Sequence, residues 1–169
     1  MVVGMKALAP LLLLLASCVS VAPPTRGDSA PEAARVLELV NEARVKPRRC
    51  GGNRHAAVPP LVQSAILDRV ALAHAREMVA RGRMSHTGAD GSTPGERATR
   101  AGFRWQAIGE NVAFGQPTSE QVVAGWLASA HHCANIMDPD FTDMGIGFAA
   151  GTRDRAGLFW SQVFGKPAP

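Results

Sequence analysis

The stretch GWLASAHHCANIM, residues 125–137, contains two adjacent histidines and a cysteine directly after a segment of helical pattern. Imidazoles and thiolates commonly bind metal ions, and they also serve as base and nucleophile in catalysis. Three interpretations therefore compete: a metal site, a nucleophile with its base, and a structural disulfide beside one functional histidine. The sequence on either side narrows the choice.

The apolar pattern predicts helices as far as residue 131 and strands after it. An amphipathic helix is expected from Ser29 until Pro47 stops it, and further helices are expected at 61–81, 94–101 and 119–131. Strands are expected at 144–149 and 158–164, joined by the polar turn 151–157. Residues 50–60 form a loop rich in helix breakers, and 109–113 show no clear periodicity. Helices followed by a terminal hairpin indicate an α+β layered domain.

The N-terminus has the form of a secretory signal. One lysine precedes an apolar run that is too short to span a bilayer as a helix, and small residues follow. Leu15-Ala16-Ser17-Cys18 resembles the bacterial lipobox, in which the cysteine becomes the lipidated first residue. We therefore expect a lipoprotein signal peptide at 1–17 and a lipidated tether at 18–29. The alternative is an ordinary signal that leaves Cys18 as an unpaired thiol.

The other two cysteines favour a disulfide. If Cys18 carries a lipid, Cys50 and Cys133 remain, and exported bacterial proteins meet an oxidising environment. Their bond would close a loop of about 84 residues, worth on the order of 4 kcal/mol in the chain-entropy model. In that case Cys133 is not a nucleophile.

The charge pattern argues against a nucleic-acid-binding protein. Without residues 1–17 the chain has a net charge of +3, and its arginines recur beside acids without interleaved aromatic residues. A solvated surface of mixed charge is the favoured interpretation, and some attraction to anionic surfaces is the alternative.

Five motifs share the order and spacing of one protein family. They are SHTGADGSTPGERATRAG (85–102), GENVAFG (109–115), GWLASAHHCANIM (125–137), DPDFTDMGIGFA (138–149) and FWSQVFG (159–165). This set resembles bacterial members of the CAP superfamily, which includes cysteine-rich secretory proteins, venom antigen-five allergens and plant pathogenesis-related proteins. The resemblance covers about residues 32–165 and implies an α-β-α sandwich with a central antiparallel sheet. We place this domain at residues 30–169.

The resemblance also implies a cleft with two histidines and two acids. His86 matches the first histidine, Glu110 the glutamate of the GEN motif, and His132 the second histidine. Ser129 stands where animal members have the second acid. Three of the four positions are therefore kept.

Those three residues are the candidates for metal binding and for catalysis. Two neutral imidazoles and a carboxylate can bind zinc or another divalent ion, or act as general acid and base. The alternative is structural: a turn residue for His86, a buried acid for Glu110 and a core histidine for His132. We assign no inherited role to His131, and we interpret His55 and His74 as structural or solvated.

Nucleophilic catalysis has little support. Ser85, Ser129 and Ser161 lie near motif residues, but none sits in a GxSxG elbow. Ser129 precedes His132 by three residues, so both side chains can face one cleft. Trp126 and Trp160 are expected in the core, and Asn111 and Asn135 in local turns.

The expected protein is an extracytoplasmic, lipid-anchored CAP module that binds a small-molecule, lipid or peptide ligand. A metal-assisted hydrolase of envelope peptide or glycan is the alternative, and a purely structural partner protein is a third. Because Val19 rather than aspartate follows Cys18, outer-membrane attachment is favoured in a Gram-negative host. We expect a monomer that contacts the membrane only through its anchor.

Overall fold

The chain alternates helices with short strands before a terminal hairpin. The structure is a computed structural model that describes Met1 and residues 29–169, so the predicted signal peptide beyond Met1, Cys18 and the tether up to residue 28 lie outside the described residues. The helices are α1 (Ser29–Arg44), α2 (Ala65–Arg81), α3 (Pro94–Arg100), α4 (Ser119–Ala128) and α5 (Ala130–Ile136). The strands are β1 (Arg48–Cys50), β2 (Asn53–His55), β3 (Val62–Gln63), β4 (Trp105–Phe114), β5 (Asp143–Ala150) and β6 (Leu158–Pro167).

Four strands form the central sheet in the order β3-β5-β6-β4. The predicted hairpin is confirmed as the antiparallel pair β5–β6, and β4 pairs antiparallel with the far side of β6. The short β3 adds a parallel edge beside β5, so the sheet is mixed rather than wholly antiparallel. The GENVA segment, which lacks clear periodicity, lies within β4.

Helix α2 lies against one face of this sheet at close range. A Cβ added at Gly145 would stand 2.1 Å from the backbone carbonyl carbon of Leu67, and one at Gly147 would stand 2.2 Å from the amide nitrogen of Leu72. Both distances are shorter than any van der Waals contact. The two glycines of β5 therefore allow the backbone of α2 to pack directly on the strand.

The opposite face is covered by α1, α4 and α5. Its core includes the predicted core residues Trp126 and Trp160, both fully buried, together with Val36, Val40, Ile136 and Phe164. A separate cluster around Leu67 and Val163 fills the α2 side. Helical layers on both faces of the sheet confirm the predicted α+β sandwich.

A buried arginine joins the end of α1 to the segment after α5. Arg44 is fully buried and donates hydrogen bonds to four backbone carbonyls, those of Pro59, Ile136, Asp138 and Phe141, at 2.6–3.1 Å. Burial lowers the pKa of Arg44 from its usual value, because the charged form loses hydration. The carbonyl oxygens replace that hydration.

The single helix expected at 119–131 is two helices. Ser129 adopts an extended conformation (φ −90°, ψ 126°), which ends α4 and starts α5 in a new direction. The predicted disulfide Cys50–Cys133 is present, with the two Cα atoms 5.4 Å apart. It joins α5 to the hairpin β1–β2, which overlaps residues 50–60, the segment predicted to be a loop.

The start of α2 also differs from the prediction. Ser64 caps the helix by accepting a hydrogen bond from the amide of Leu67, so α2 begins at Ala65 rather than residue 61. The residues before it pair with β5 as β3. At the other end Gly82 adopts the left-handed conformation (φ 60°) and stops the helix as predicted.

Candidate functional site

Glu110 is the buried centre of the candidate site. It lies in the middle of β4, and its side chain is 1% exposed. One carboxylate oxygen accepts a hydrogen bond from Nδ1 of His86 at 2.9 Å, and the other accepts from Arg97 at 2.6 Å. Ser161 of β6 adds a longer contact of 3.4 Å to the second oxygen. Both oxygens are therefore already engaged by the chain itself.

Arg97 connects two of the three predicted site residues, His86 and Glu110, and it was not identified from the sequence. It projects from α3, whose start is fixed by a capping box between Thr93 and Glu96. Besides Glu110, its guanidinium donates to the backbone carbonyls of His86 (3.0 Å) and Ser92 (2.9 Å). The sequence offered one indication of this role: Arg97 lies inside the 85–102 motif, one turn into a capped helix.

His86 presents one free ring nitrogen to solvent. Its side chain is 56% exposed, and while Nδ1 donates to Glu110, Nε2 forms no hydrogen bond with any residue in 29–169. The hydrogen bond to Glu110 raises the pKa of His86 above its usual 6.5, although partial burial and the charge of Arg97 oppose this. A carboxylate-oriented imidazole with a free Nε2 suits metal binding and proton transfer.

His74 supports the segment that leads to His86. Its ring is buried, with Nε2 donating to the carbonyl of Ser85 at 2.6 Å and Nδ1 lying 3.2 Å from a carboxylate oxygen of Glu77. Its Nε2 is also 3.9 Å from Glu110. Of the two interpretations left open by the sequence, the structural one holds for His74.

His132 lies on α5, at a neighbouring cavity of about 260 Å³ that Ser129, Trp126 and Met84 also line. Ser129 and His132 thus line one cavity, but the predicted cleft that His132 shares with His86 and Glu110 is divided, because those two residues line a different cavity. Burial lowers the pKa of His132 below 6.5, and the nearby charges of His86 and His131 lower it further. His86 thus acts on His132 through its charge, although the two histidines line different cavities.

Asn111 and Asn135 join the two halves of the site. Asn111 donates to the carbonyl of His132 (3.2 Å), and Asn135 donates to the carbonyl of Glu110 (3.2 Å) and to Asn111 itself (2.9 Å). The expectation that they hold local turns is wrong, because these bonds link β4 to α5 across more than 20 residues of sequence. They fix the strand of Glu110 against the helix of His132.

A cleft of about 950 Å³ opens beside the His86–Glu110 pair, between α3 and the start of β4. Trp105, 39% exposed, forms an aromatic wall and donates from its ring nitrogen to Thr99 at 3.0 Å. The charged groups on the rim are paired within the chain, as in the 2.5 Å contact between Arg100 and Asp90. That contact also lowers the pKa of the Asp90 carboxyl well below its usual range.

Of the predicted donor set, the two histidines rather than the carboxylate remain as candidate metal ligands. Within residues 29–169, no three His, Cys, Asp or Glu side chains are placed to hold one ion together. Both carboxylate oxygens of Glu110 already accept hydrogen bonds, from His86 and Arg97. Glu110 therefore serves as a partner that orients the His86 ring, and not as a direct metal ligand. His86 and His132 are the two groups that would bind an ion, and the metal site stays a prediction.

Comparison with known proteins places this geometry in a family. Residues 37–164 match the CAP family, described as the cysteine-rich secretory protein family. The uncharacterized protein YkwD of Bacillus subtilis (strain 168) is 30% identical over 130 residues, which are 77% of this chain and 45% of YkwD. The chain thus spans less than half the length of that relative.

Solved structures show the same fold. A crystal structure of an extracellular SCP-domain protein from Bacillus anthracis aligns with a TM-score of 0.66 and 25% identity, over 86% of this chain and 45% of that one. An outer surface protein from Borrelia burgdorferi aligns with a TM-score of 0.70 and 23% identity, over 83% of this chain and 96% of that one. Within residues 29–169, no helix is both long and apolar enough to cross a bilayer. The match over 37–164 establishes that the chain belongs to the CAP family of cysteine-rich secretory proteins.

Proposed function

We propose that this CAP domain acts outside the cytoplasm as a ligand-binding module, with the cleft beside His86 as its binding site. The observation that carries the proposal is the cleft itself, about 950 Å³ in volume and bordered by His86 and Trp105. Volumes of this order accommodate small-molecule ligands. The Bacillus anthracis relative is an extracellular protein, which supports the location.

The walls of the cleft favour an uncharged polar ligand with an apolar face. Asp90 pairs with Arg100, and Glu96 is held by the capping box of α3. The cleft therefore has little unpaired charge with which to hold a charged organic ligand of either sign. An exposed indole beside polar groups can stack against a flat apolar surface, such as one side of a sugar ring.

The proposal also includes a divalent metal ion bound by His86 and His132. Nε2 of His86 is free in the described chain, and burial lowers the pKa of His132, which favours the neutral form of the ring that binds metals. A bound ion such as zinc would supply a Lewis acid at the edge of the cleft. Zinc titration by calorimetry should show binding to the wild type and at least tenfold weaker binding to His132→Ala.

Fluorescence provides the direct test of ligand binding, because Trp105 is exposed whereas Trp126 and Trp160 are buried. We would titrate an N-acetylglucosamine trimer, a short peptide and a fatty acid, and follow the emission of Trp105. The expected result is saturable binding of one probe, unchanged in the remote variant Arg153→Gln. Calorimetry, which does not need the indole, should show weaker binding of that probe to Trp105→Leu. If none of the three probes binds, the module has no ligand of the proposed classes.

A metal-assisted hydrolase of envelope peptide or glycan is the second candidate. The favouring observation is the 2.9 Å hydrogen bond from His86 to the buried Glu110, which orients an imidazole for proton transfer. Zinc-dependent cleavage of a glycan or peptide, abolished in His86→Ala, would support the hydrolase. Saturable binding without turnover would favour the binding module.

The proposal also covers the attachment of the protein to a membrane and its oligomeric state. We place the protein at the envelope through a lipid on Cys18, at the outer membrane where the host has one, and as a monomer. Metabolic labelling with palmitate, compared between wild type and Cys18→Ala, tests the anchor. Light scattering on the purified chain tests the monomer.

A further inference from the structure

The net positive charge of the chain is concentrated in one segment. The whole sequence has a formal charge of +4. Residues 43–67 contain five Lys or Arg and no Asp or Glu, whereas the rest of the chain contains 13 Lys or Arg against 14 Asp or Glu. The mixed-charge surface expected from the sequence is therefore interrupted by one basic region.

The fold displays this region as a hairpin. Arg44 is buried, but Lys46, Arg49 and Arg54 are exposed and Arg48 is partly exposed. Arg49 and Arg54 face each other across strands β1 and β2. Like charges directly opposite in an antiparallel pair repel each other and destabilise the pair. The hairpin keeps this unfavourable arrangement on its surface.

No carboxylate in the described chain neutralises the hairpin. None of Lys46, Arg48, Arg49 and Arg54 has an Asp or Glu partner within 4.0 Å among residues 29–169. Arg49 donates instead to the backbone carbonyl of Gly52 in the turn, at 3.0 Å. The three exposed cations, Lys46, Arg49 and Arg54, are thus available to an external anion.

The hairpin is also held rigidly and is flanked by apolar residues. The disulfide from Cys50 ties β1 to α5, and a Cβ added at Gly51 would stand 2.9 Å from the side chain of Ala130, so the turn lies against that helix. At the open end, Val45 before the hairpin is 50% exposed, and Ala56 and Ala57 after it are exposed. Cations beside exposed apolar residues are typical of surfaces that contact lipid headgroups.

We infer that the hairpin Arg48–His55, together with Lys46, is a docking surface for an anionic lipid bilayer. The guanidinium groups would bind lipid phosphates, for which the forked geometry of arginine is well suited. Val45 and the following alanines would lie at the headgroup level. This surface is separate from the cleft beside His86, so it does not depend on the proposed ligand.

Vesicle binding tests the inference. The full chain carrying Cys18→Ser, which removes any acyl chain, would be sedimented with vesicles of phosphatidylglycerol and phosphatidylcholine, and separately with pure phosphatidylcholine. The measured quantity is the ratio of the two partition coefficients, in which apolar binding by the N-terminal segment cancels. The charged residues of that segment, such as Lys6 and Arg26, contribute equally to the wild type and to every variant. About 1 kcal/mol per basic residue corresponds to about fivefold, so Arg49→Gln with Arg54→Gln should reduce the ratio about 30-fold.

A matched variant removes two arginines elsewhere. Arg153→Gln with Arg155→Gln changes the net charge equally, on the exposed turn between β5 and β6, and should leave the ratio unchanged. Equal losses in both double variants would show that only net charge matters and would overturn the inference. A ratio near one for the wild type would overturn it too, even if inorganic polyphosphate bound the hairpin. Circular dichroism melting confirms that both variants are folded.

Discussion

Replacing Arg97 by methionine tests whether this arginine holds the candidate site together. Methionine fills much of the same space but donates no hydrogen bond. The change removes the 2.6 Å contact to Glu110 and the two bonds to the backbone of His86 and Ser92. It leaves the Glu110 carboxylate, 1% exposed, with His86 as its principal partner.

The expected loss of stability follows from burial. Removing one member of a buried ion pair typically costs about 3–5 kcal/mol, because the other charge stays buried without compensation. Since His86 still donates to Glu110, we expect the lower end, about 3 kcal/mol. This is a large share of the roughly 5–15 kcal/mol by which domains are stable.

The loss should depend on pH with a defined sign. The charge of Arg97 lowers the pKa of His86, so its removal raises that pKa further above 6.5. A group with a raised folded pKa contributes its full stabilisation below the unfolded value and loses it as pH rises through the folded value. Arg97→Met should therefore be less destabilised at pH 6 than at pH 9.

Urea unfolding at the two pH values measures the effect. The control is Arg100→Met, on the same helix, whose partner Asp90 is half-exposed; its unfolding midpoint should stay near that of the wild type. The double variant Arg97→Met with Glu110→Gln should recover part of the loss. If Arg97→Met lost no more stability than Arg100→Met, or lost more at pH 6 than at pH 9, the proposed role of Arg97 would be refuted.

Three further results are expected. By NMR titration, His86 should have a pKa above 6.5 and His132 one below it, because a carboxylate holds the first ring and burial acts on the second. Replacing Cys50 and Cys133 by serine should lower the free energy of unfolding by about 4 kcal/mol, measured with denaturant. Gly145→Ala should cost more than about 3 kcal/mol or prevent folding, since the added methyl group meets the α2 backbone.

Each of these has a control or a contradicting outcome. If the two histidines titrated together near 6.5, the geometry described for Glu110 would be wrong. A serine variant as stable as the wild type would mean that the disulfide contributes no net stability. For the glycine, Gly125→Ala is the matched change, because the nearest atom to its added Cβ is 3.9 Å away. It should be neutral or stabilising, as alanine favours helix.

The sequence predicted those elements that local rules determine. Helix α2 and the hairpin β5–β6 are predicted by apolar periodicity and by turn residues such as Gly82. Both signals can be recognised from a short stretch of sequence. The break at Ser129 cannot, because no proline or glycine marks it. Similarly, the hairpin β1–β2 has three-residue strands that carry mainly polar residues, a pattern that resembles a loop.

The site was predicted through resemblance and completed by tertiary contacts. His86, Glu110 and His132 were found by their motifs, and the structure joins the first two directly. Arg97 was missed because its role depends on α3 folding back over β4, which no local pattern shows. The hydrogen bonds to the two Glu110 oxygens likewise come from residues distant in sequence, Arg97 at 13 positions and His86 at 24 positions.

The bonds of Arg44 to four carbonyls have a consequence for acid tolerance. Peptide carbonyls take up no protons in the pH range that proteins meet, and a guanidinium keeps its charge throughout that range. This clamp between α1 and the segment after α5 therefore does not titrate. Ion pairs that depend on carboxylates, including that of Glu110 with Arg97, weaken as those groups are protonated. In an acidified medium the candidate site should loosen first, while the end of α1 stays attached.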